Sequence, residues 1–237
     1  MSPPESPTPT AFVTGATGFV GREVVRQLCV RGTRCIAHVR PDSSSLSTWR
    51  TRFTEQGALV DTAAWDAAAL AASLRTNAVT HLYICIGTTR SKAKSEKVQG
   101  DIYEAVDLGL TQIAVDAARA SELRPRLIYL SSVGASTTAR SPYLRARGKA
   151  EAVVQSSGLP WVIARPSIIT GDRDESRLGE RAAGVVGDGL LAVAGIFGGS
   201  KVRAKYRSTT PDILASALIR LGSSNADQQI VSGDELR

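Results

Sequence analysis

Tyr143 and Arg147 stand four residues apart, a spacing that puts two side chains on one face of a helix. A phenol can give or take a proton and a guanidinium stays charged, so the pair could do acid–base work on a polar bond. Ser131 and Ser132 stand side by side, the second of them eleven residues before Tyr143. A hydroxyl there could polarise a carbonyl oxygen. Near the start of the chain a different chemistry is written, G-A-T-G-F-V-G at 15–21. In this GxxGxxG spacing Gly15 permits a tight turn, Gly18 lets the backbone approach a pyrophosphate, and Gly21 lets a helix pack closely on a strand. The helix that follows would offer its free N–H groups to the phosphates. Thr17, Phe19 and Val20 complete this candidate cofactor-binding turn.

These groups need a scaffold, and the hydrophobic pattern supplies one. Apolar β-rich runs at 11–14, 35–39, 58–60, 82–86, 127–130 and 161–164 predict six strands. Between them helical spacing recurs, in Val20, Val24, Val25 and Leu28, then in Val106, Leu110, Ile113, Ala114 and Ala117, then over 143–156. The continuous apolar runs fit strands buried on both faces. The alternation predicts an α/β fold, a doubly wound parallel sheet of the Rossmann type. We read residues 1–10, which hold four of the ten prolines, as a disordered lead-in, and 11–237 as one domain with a small C-terminal cap at about 171–210.

On that scaffold the strand ends carry the remaining candidates, because ligands lie at the carboxyl edge of a parallel sheet. Arg40 follows the second strand, where an acidic residue would favour NAD and an arginine can pair with the 2′-phosphate of NADP. Asp42 lies two residues on. The cofactor expected is therefore NADP(H) in preference to NAD(H). Asp61, after the third strand, could accept a hydrogen bond from the adenine amino group. Gly87, Thr88, Thr89 and Arg90 follow the fourth strand, and Pro166 and Ser167 the sixth; by position both loops should pass the nicotinamide.

Taken together these motifs resemble the short-chain dehydrogenase/reductase superfamily in its atypical branch, and more narrowly the Tat-interacting-protein oxidoreductase group. The likeness rests on the glycine turn, I-G-T-T-R-S-K-A at 86–93, L-S-S-V-G-A at 130–135, Y-L-R-A-R-G-K-A-E at 143–151 and A-R-P-S-I-I at 164–169. It implies a Rossmann domain binding NADP(H), with a serine orienting a substrate carbonyl and Tyr143 as acid/base. Ser132 is favoured over Ser131, which joins the cofactor set. The resemblance places Tyr143 and a fourth-following lysine on the nicotinamide ribose, but here Arg147 replaces that lysine. Lys149 lies about 240° around a helix from Tyr143 and cannot substitute. Arg147 can favour the phenolate and hydrogen-bond ribose hydroxyls, but it cannot pass a proton.

Composition narrows the partners. The 237 residues carry a net charge of +7 and only 5% aromatics, which favours an anionic small molecule over stacked single-stranded nucleic acid. No specific nucleic-acid motif and no membrane-length apolar run is seen. Cys29, Cys35 and Cys85 are odd in number and scattered, and His38 and His81 are isolated, so no metal site is expected. The cysteine usage and the lack of a secretory signal fit the cytoplasm. Lys201, Arg203, Lys205 and Arg207 alternate with Val202, Ala204 and Tyr206, as on a solvated edge strand or an anion contact. The reading is an NAD(P)-dependent oxidoreductase acting on a small-molecule substrate. Its alternative is an NADP(H)-binding regulatory protein that works through a protein partner or a homodimer.

Overall fold

The computed structural model describes residues 9–87, 101–167, 169–170 and 209–237. Period-two alternation along each strand divides the core between two faces of one sheet. Phe12, Ile36, Leu82, Ile84, Leu127, Tyr129 and Ile163 fill one face, while Val13, Ala37, Tyr83, Ile128, Leu130, Val162 and Ala164 fill the other. The strands are β1 Thr10–Thr14, β2 Arg34–His38, β3 Leu59–Asp61, β4 His81–Ile84, β5 Arg126–Leu130, β6 Trp161–Arg165 and β7 Gln229–Ser232. They form a seven-stranded sheet of order β3-β2-β1-β4-β5-β6-β7. Every pairing is parallel. The expected doubly wound α/β Rossmann architecture is therefore present.

The helices are α1 Gly21–Val30, α2 Leu46–Glu55, α3 Ala67–Thr76, α4 Leu110–Ala120, α5 Pro142–Gln155 and α6 Pro211–Ser223. Buried Val24, Val25 and Leu28 seat α1 on the face that α6 shares. Leu70, Leu74, Ala114, Ala117, Ala150 and Val154 seat α3, α4 and α5 on the other. Local chemistry sets where several begin. The Asp66 carboxylate accepts from the amides of Ala68 and Ala69 at the start of α3. Ser141 and Thr210 cap α5 and α6, each followed by proline in the first turn.

Strand limits differ from the sequence reading by one or two residues. Thr10, placed in the lead-in, begins β1 and is buried. The third strand is shifted by one, to Leu59–Asp61. The helix expected across Val106 to Ala117 is two-part: a π-helical turn, Tyr103–Gly109, runs into α4. Helix α2 has no legible apolar face because Phe53 alone is buried. Residues 1–8 of the lead-in, the basic alternation at 201–207 and nearly all of the cap region lie outside the described residues. Thr209 and Thr210 alone of 171–210 join Ile169 and Thr170 at the edge of what is described, through an Ile169–Thr209 bridge.

His38 is buried at the end of β2, with Nε2–H donating to the Ala63 carbonyl at 2.8 Å. Burial holds this imidazole below its ordinary value, against the opposing Ala63 hydrogen bond and Asp61 charge. Burial and the nearby Arg126 charge push His81 the same way. The unfolded chain therefore takes up protons first as pH falls. This contribution to stability is complete above about pH 6.5 and is lost as pH drops below it. Thermal midpoints should fall between about pH 7 and pH 5. A His38→Gln variant should show a shallower fall; an unchanged slope would contradict this account.

Candidate functional site

The glycine turn is built so that no side chain fits at Gly15 or Gly21. Gly15 has φ of +70°, and a Cβ on it would collide with the Cys85 carbonyl just beyond β4. A Cβ on Gly21 would collide with the Gly15 carbonyl, so α1 rests directly on the turn. Gly18 closes the turn, its N–H donating to Gly15 O at 2.9 Å. Ala16 and Val20 are buried anchors, while Thr17 and Phe19 are half-buried on the rim. No side chain caps α1, α2 or α4, whereas α3, α5 and α6 each take one. In that first turn Arg22 N–H donates to Gly18 O at 3.0 Å and Glu23 N–H to Val20 O at 3.1 Å, and the positive N-terminal end of α1 points at the glycine turn, the setting that a dinucleotide pyrophosphate uses.

Strand order fixes which side of the turn each half of a dinucleotide would use. The order reverses between β1 and β4, so one half lies over β2 and β3 and the other over β4, β5 and β6. On the first side Arg40 is half-exposed, with Nε 3.9 Å from Asp42 Oδ1. The Asp61 carboxylate is already engaged: it accepts from Ala63 N–H at 3.0 Å and from the Ser73 hydroxyl at 2.5 Å. An adenine amino group would have to share it.

On the second side Tyr143 lies in the first turn of α5. Its ring meets Tyr103 edge-on at 5.4 Å between centroids. The Arg147 guanidinium lies 5.4 Å from the same ring, so the shared helical face is realised. The Tyr143 hydroxyl has no hydrogen-bond partner among the described residues. Arg147 itself is turned inward and only 5% exposed. Nη1 donates to Tyr129 Oη at 3.2 Å and to Leu130 O at 2.9 Å. Nη2 pairs with Asp107 Oδ1 at 2.9 Å. Burial alone would lower the Arg147 pKa, but Tyr143, Tyr129 and Asp107 together outweigh it and hold the group well above its ordinary range. It stays charged. The guanidinium read as a ribose ligand is thus already committed to protein acceptors. Lys149 turns away, with Nζ 2.6 Å from Glu104 Oε1.

The two serines part company. Ser131 is buried and donates to Glu151 Oε1 at 2.5 Å. That carboxylate also receives Arg165 Nε at 2.8 Å and Nη2 at 2.5 Å. Ser132 is half-exposed, and among the described residues its hydroxyl has only a 3.4 Å contact to Val133 O. Gly87 is exposed at the end of the β4 turn. The Pro166 carbonyl accepts from Val133 N at 2.9 Å, tying the two loops, and Ser167 is half-buried beside it. Thr88, Thr89 and Arg90 lie outside the described residues. Among the described residues no cluster of three or more His, Cys, Asp or Glu could hold a metal, and all three cysteines are free.

Asp107, Glu151 and Tyr103 contact the candidate residues Arg147, Ser131 and Tyr143, and the sequence reading missed them. One signal was available: Asp107 interrupts the apolar face formed by Val106, Leu110 and Ile113, and an acid on such a face needs a buried partner.

A family model described as NAD(P)H-binding matches residues 15–189. The chain belongs to this NAD(P)H-binding family. Family membership and the cradle agree on a nicotinamide dinucleotide as cofactor. Among curated relatives, "Protein fmp52-1, mitochondrial" of Aspergillus terreus is 28% identical over 233 residues, 93% of this chain and 90% of the relative. Acetoin dehydrogenase from Enterobacter cloacae shares the fold at a TM-score of 0.63 and 15% identity, covering 96% of this chain and 95% of that one. ChuY, an anaerobillin reductase from Escherichia coli O157:H7, does so at 0.61 and 18%, covering 93% and 94%.

The relatives correct one expectation. Those from Aspergillus terreus, Aspergillus fumigatus, Scheffersomyces stipitis and Emericella nidulans are all named mitochondrial, which points away from the cytoplasmic reading. Unpaired cysteines report a reducing environment, and the cytoplasm is not the only one, so that inference was too narrow. No helix among the described residues is long and apolar enough to cross a membrane.

Proposed function

We propose that the protein is an NADP(H)-dependent oxidoreductase acting on a small carbonyl or alcohol substrate, of the atypical short-chain dehydrogenase/reductase type that its motifs resemble. The observation that carries this reading is Tyr143, held between Tyr103 and Arg147 with its hydroxyl unspent among the described residues, on the side of the switch point opposite Arg40. A bound nicotinamide would supply or accept the hydride. The glycine turn and the first turn of α1 hold the pyrophosphate, and Arg40 pairs with the 2′-phosphate. Gly87, Pro166 and Ser167 border the nicotinamide half. Ser132 polarises the substrate oxygen while Tyr143 gives or takes its proton. Ser131 serves by fixing the β5 loop to α5 through Glu151. Arg147 keeps a positive charge behind the Tyr143 ring but relays no proton.

That last property favours a second reading, a nucleotide sensor that binds NADP(H) and signals to a protein partner without turnover. Incubating the protein with NADPH and a panel of aldehydes and ketones, and following loss of NADPH absorbance, separates the two. Steady oxidation supports the enzyme, and none across the panel supports the sensor.

Cofactor choice is tested at Arg40. Arg40→Ala should weaken NADPH binding about tenfold, as loss of one charge-assisted contact implies. NADH binding should stay within about twofold, since it has no 2′-phosphate for Arg40 to meet. Equal losses for the two cofactors would remove Arg40 from the 2′-phosphate site. Fluorescence titration of each reduced cofactor reads both constants.

A further inference from the structure

The lysine position is filled here by an arginine that faces inward, and its counter-ion is a fully buried aspartate contributed by a π-helical turn. Three contacts join that turn to α5: Tyr103 on Tyr143, Glu104 with Lys149, and Asp107 with Arg147. A π-turn is rare and costs regular helix geometry, so it persists where a side chain must be aimed. Here it aims Asp107, whose 0% exposure would be expensive without a cation beside it.

Gly87 shows where the pair acts. A Cβ on Gly87 would stand 2.5 Å from Arg147 Nη2 and 3.9 Å from Asp107 Oδ1. The guanidinium therefore runs immediately beneath the turn that leaves β4, while its other nitrogen grips the Leu130 carbonyl at the end of β5. The carboxyl ends of β4 and β5 are the floor of the half of the site that lies beyond the switch point. Moving the guanidinium must move the Gly87 turn, the Leu130 carbonyl and the support of the Tyr143 ring together.

We propose that Asp107 is a positioning residue for the nicotinamide half of the cofactor, acting through Arg147: the buried pair sets the floor between the β4 and β5 turns instead of binding the ribose. The proposal rests on the nicotinamide-cofactor reading and adds to it a residue outside every motif of the sequence. Neither Asp107 nor Arg147 needs to touch the cofactor. The adenosine half, over β2 and β3, lies away from the pair.

The test compares two ligands. NADPH spans both halves, whereas ADP carries only the adenosine and the pyrophosphate. Their dissociation constants are measured for the wild type, Asp107→Asn, Arg147→Ala and the double variant. Asp107→Asn keeps the shape and removes the charge. It should weaken NADPH about tenfold while ADP stays within about twofold. Because Asp107 acts through Arg147, adding Asp107→Asn to Arg147→Ala should change the NADPH-to-ADP ratio no further. Equal weakening of both ligands would overturn the proposal, since a pair that merely holds the fold would move them together. So would an unchanged NADPH constant, or additive effects in the double variant. If Asp107→Asn does not fold, Arg147→Lys is read by the same ratio. It keeps the charge but cannot reach Asp107, Tyr129 and Leu130 together, and the same two-sided criterion applies. A wild type that binds ADP but not NADPH would overturn the cofactor reading itself, and this proposal with it; a wild type that binds both, with an unmoved ratio in the variants, would overturn this proposal alone.

Discussion

An alanine at position 15 should abolish NADPH binding, with a loss of more than about a hundredfold. Two costs act at once. The left-handed φ of +70° is strained for any residue with a Cβ, by about 1–2 kcal/mol. The added Cβ also has nowhere to go, because the Cys85 carbonyl and the Ile86 amide already occupy the space. Relief would require parting β1 from β4, where the Cys85 N–H donates to Thr14 O at 3.0 Å. The turn would open, and α1 would no longer bring its N-terminal end to the right place. Gly32→Ala is the control. Its φ is +72°, yet nothing lies within 4 Å of the Cβ position. That variant should lose about 1 kcal/mol of stability and keep its NADPH affinity. Fluorescence titration beside thermal unfolding separates the two. If Gly15→Ala binds NADPH within about threefold of the wild type, the turn is not the phosphate cradle.

The second large effect is expected at Tyr143→Phe. The ring stays, and with it the contacts to Tyr103 and Arg147. The hydroxyl, which has no partner among the described residues, is the only group removed. Folding and NADPH affinity should therefore be nearly unchanged. Turnover on any carbonyl that the wild type reduces should fall by about 10²–10⁴, the usual worth of a positioned general acid. Should turnover survive, Tyr143 is not the acid/base. Where the wild type shows no turnover on any carbonyl, partner capture with and without NADPH becomes the informative assay. A sensor would respond to the cofactor and be indifferent to the Tyr143 hydroxyl.

Ser132→Ala and Ser131→Ala should differ in kind, because the two hydroxyls have different surroundings. Losing the Ser132 hydroxyl breaks no short contact among the described residues, so the loss should be in turnover. Losing the Ser131 hydroxyl leaves the buried Glu151 carboxylate short of one donor. That should lower the thermal midpoint, by about 1–3 kcal/mol in stability.

Periodicity and turn chemistry are local, and whatever they govern could be read directly from the chain. Apolar runs alternating with helical spacing determined the parallel doubly wound sheet, and the glycine triplet determined where α1 begins and what it can hold. The shared face of Tyr143 and Arg147 follows from four residues of one helix. Helix α2 and strand β7 were not legible, since Phe53 is the only buried residue of one and Val231 the only buried residue of the other. Tertiary structure alone decided which partner each polar group meets. Sequence favoured Ser132 but could not show that Ser131 is engaged, because its partner Glu151 arrives from α5 beneath the β5 loop. Nor could it say that Arg147 faces inward, because Asp107 reaches it from a different helix and Gly87 makes the room by lacking a side chain. A charged side chain goes where its desolvation is best repaid, and the partners that repay it are brought near only by the fold.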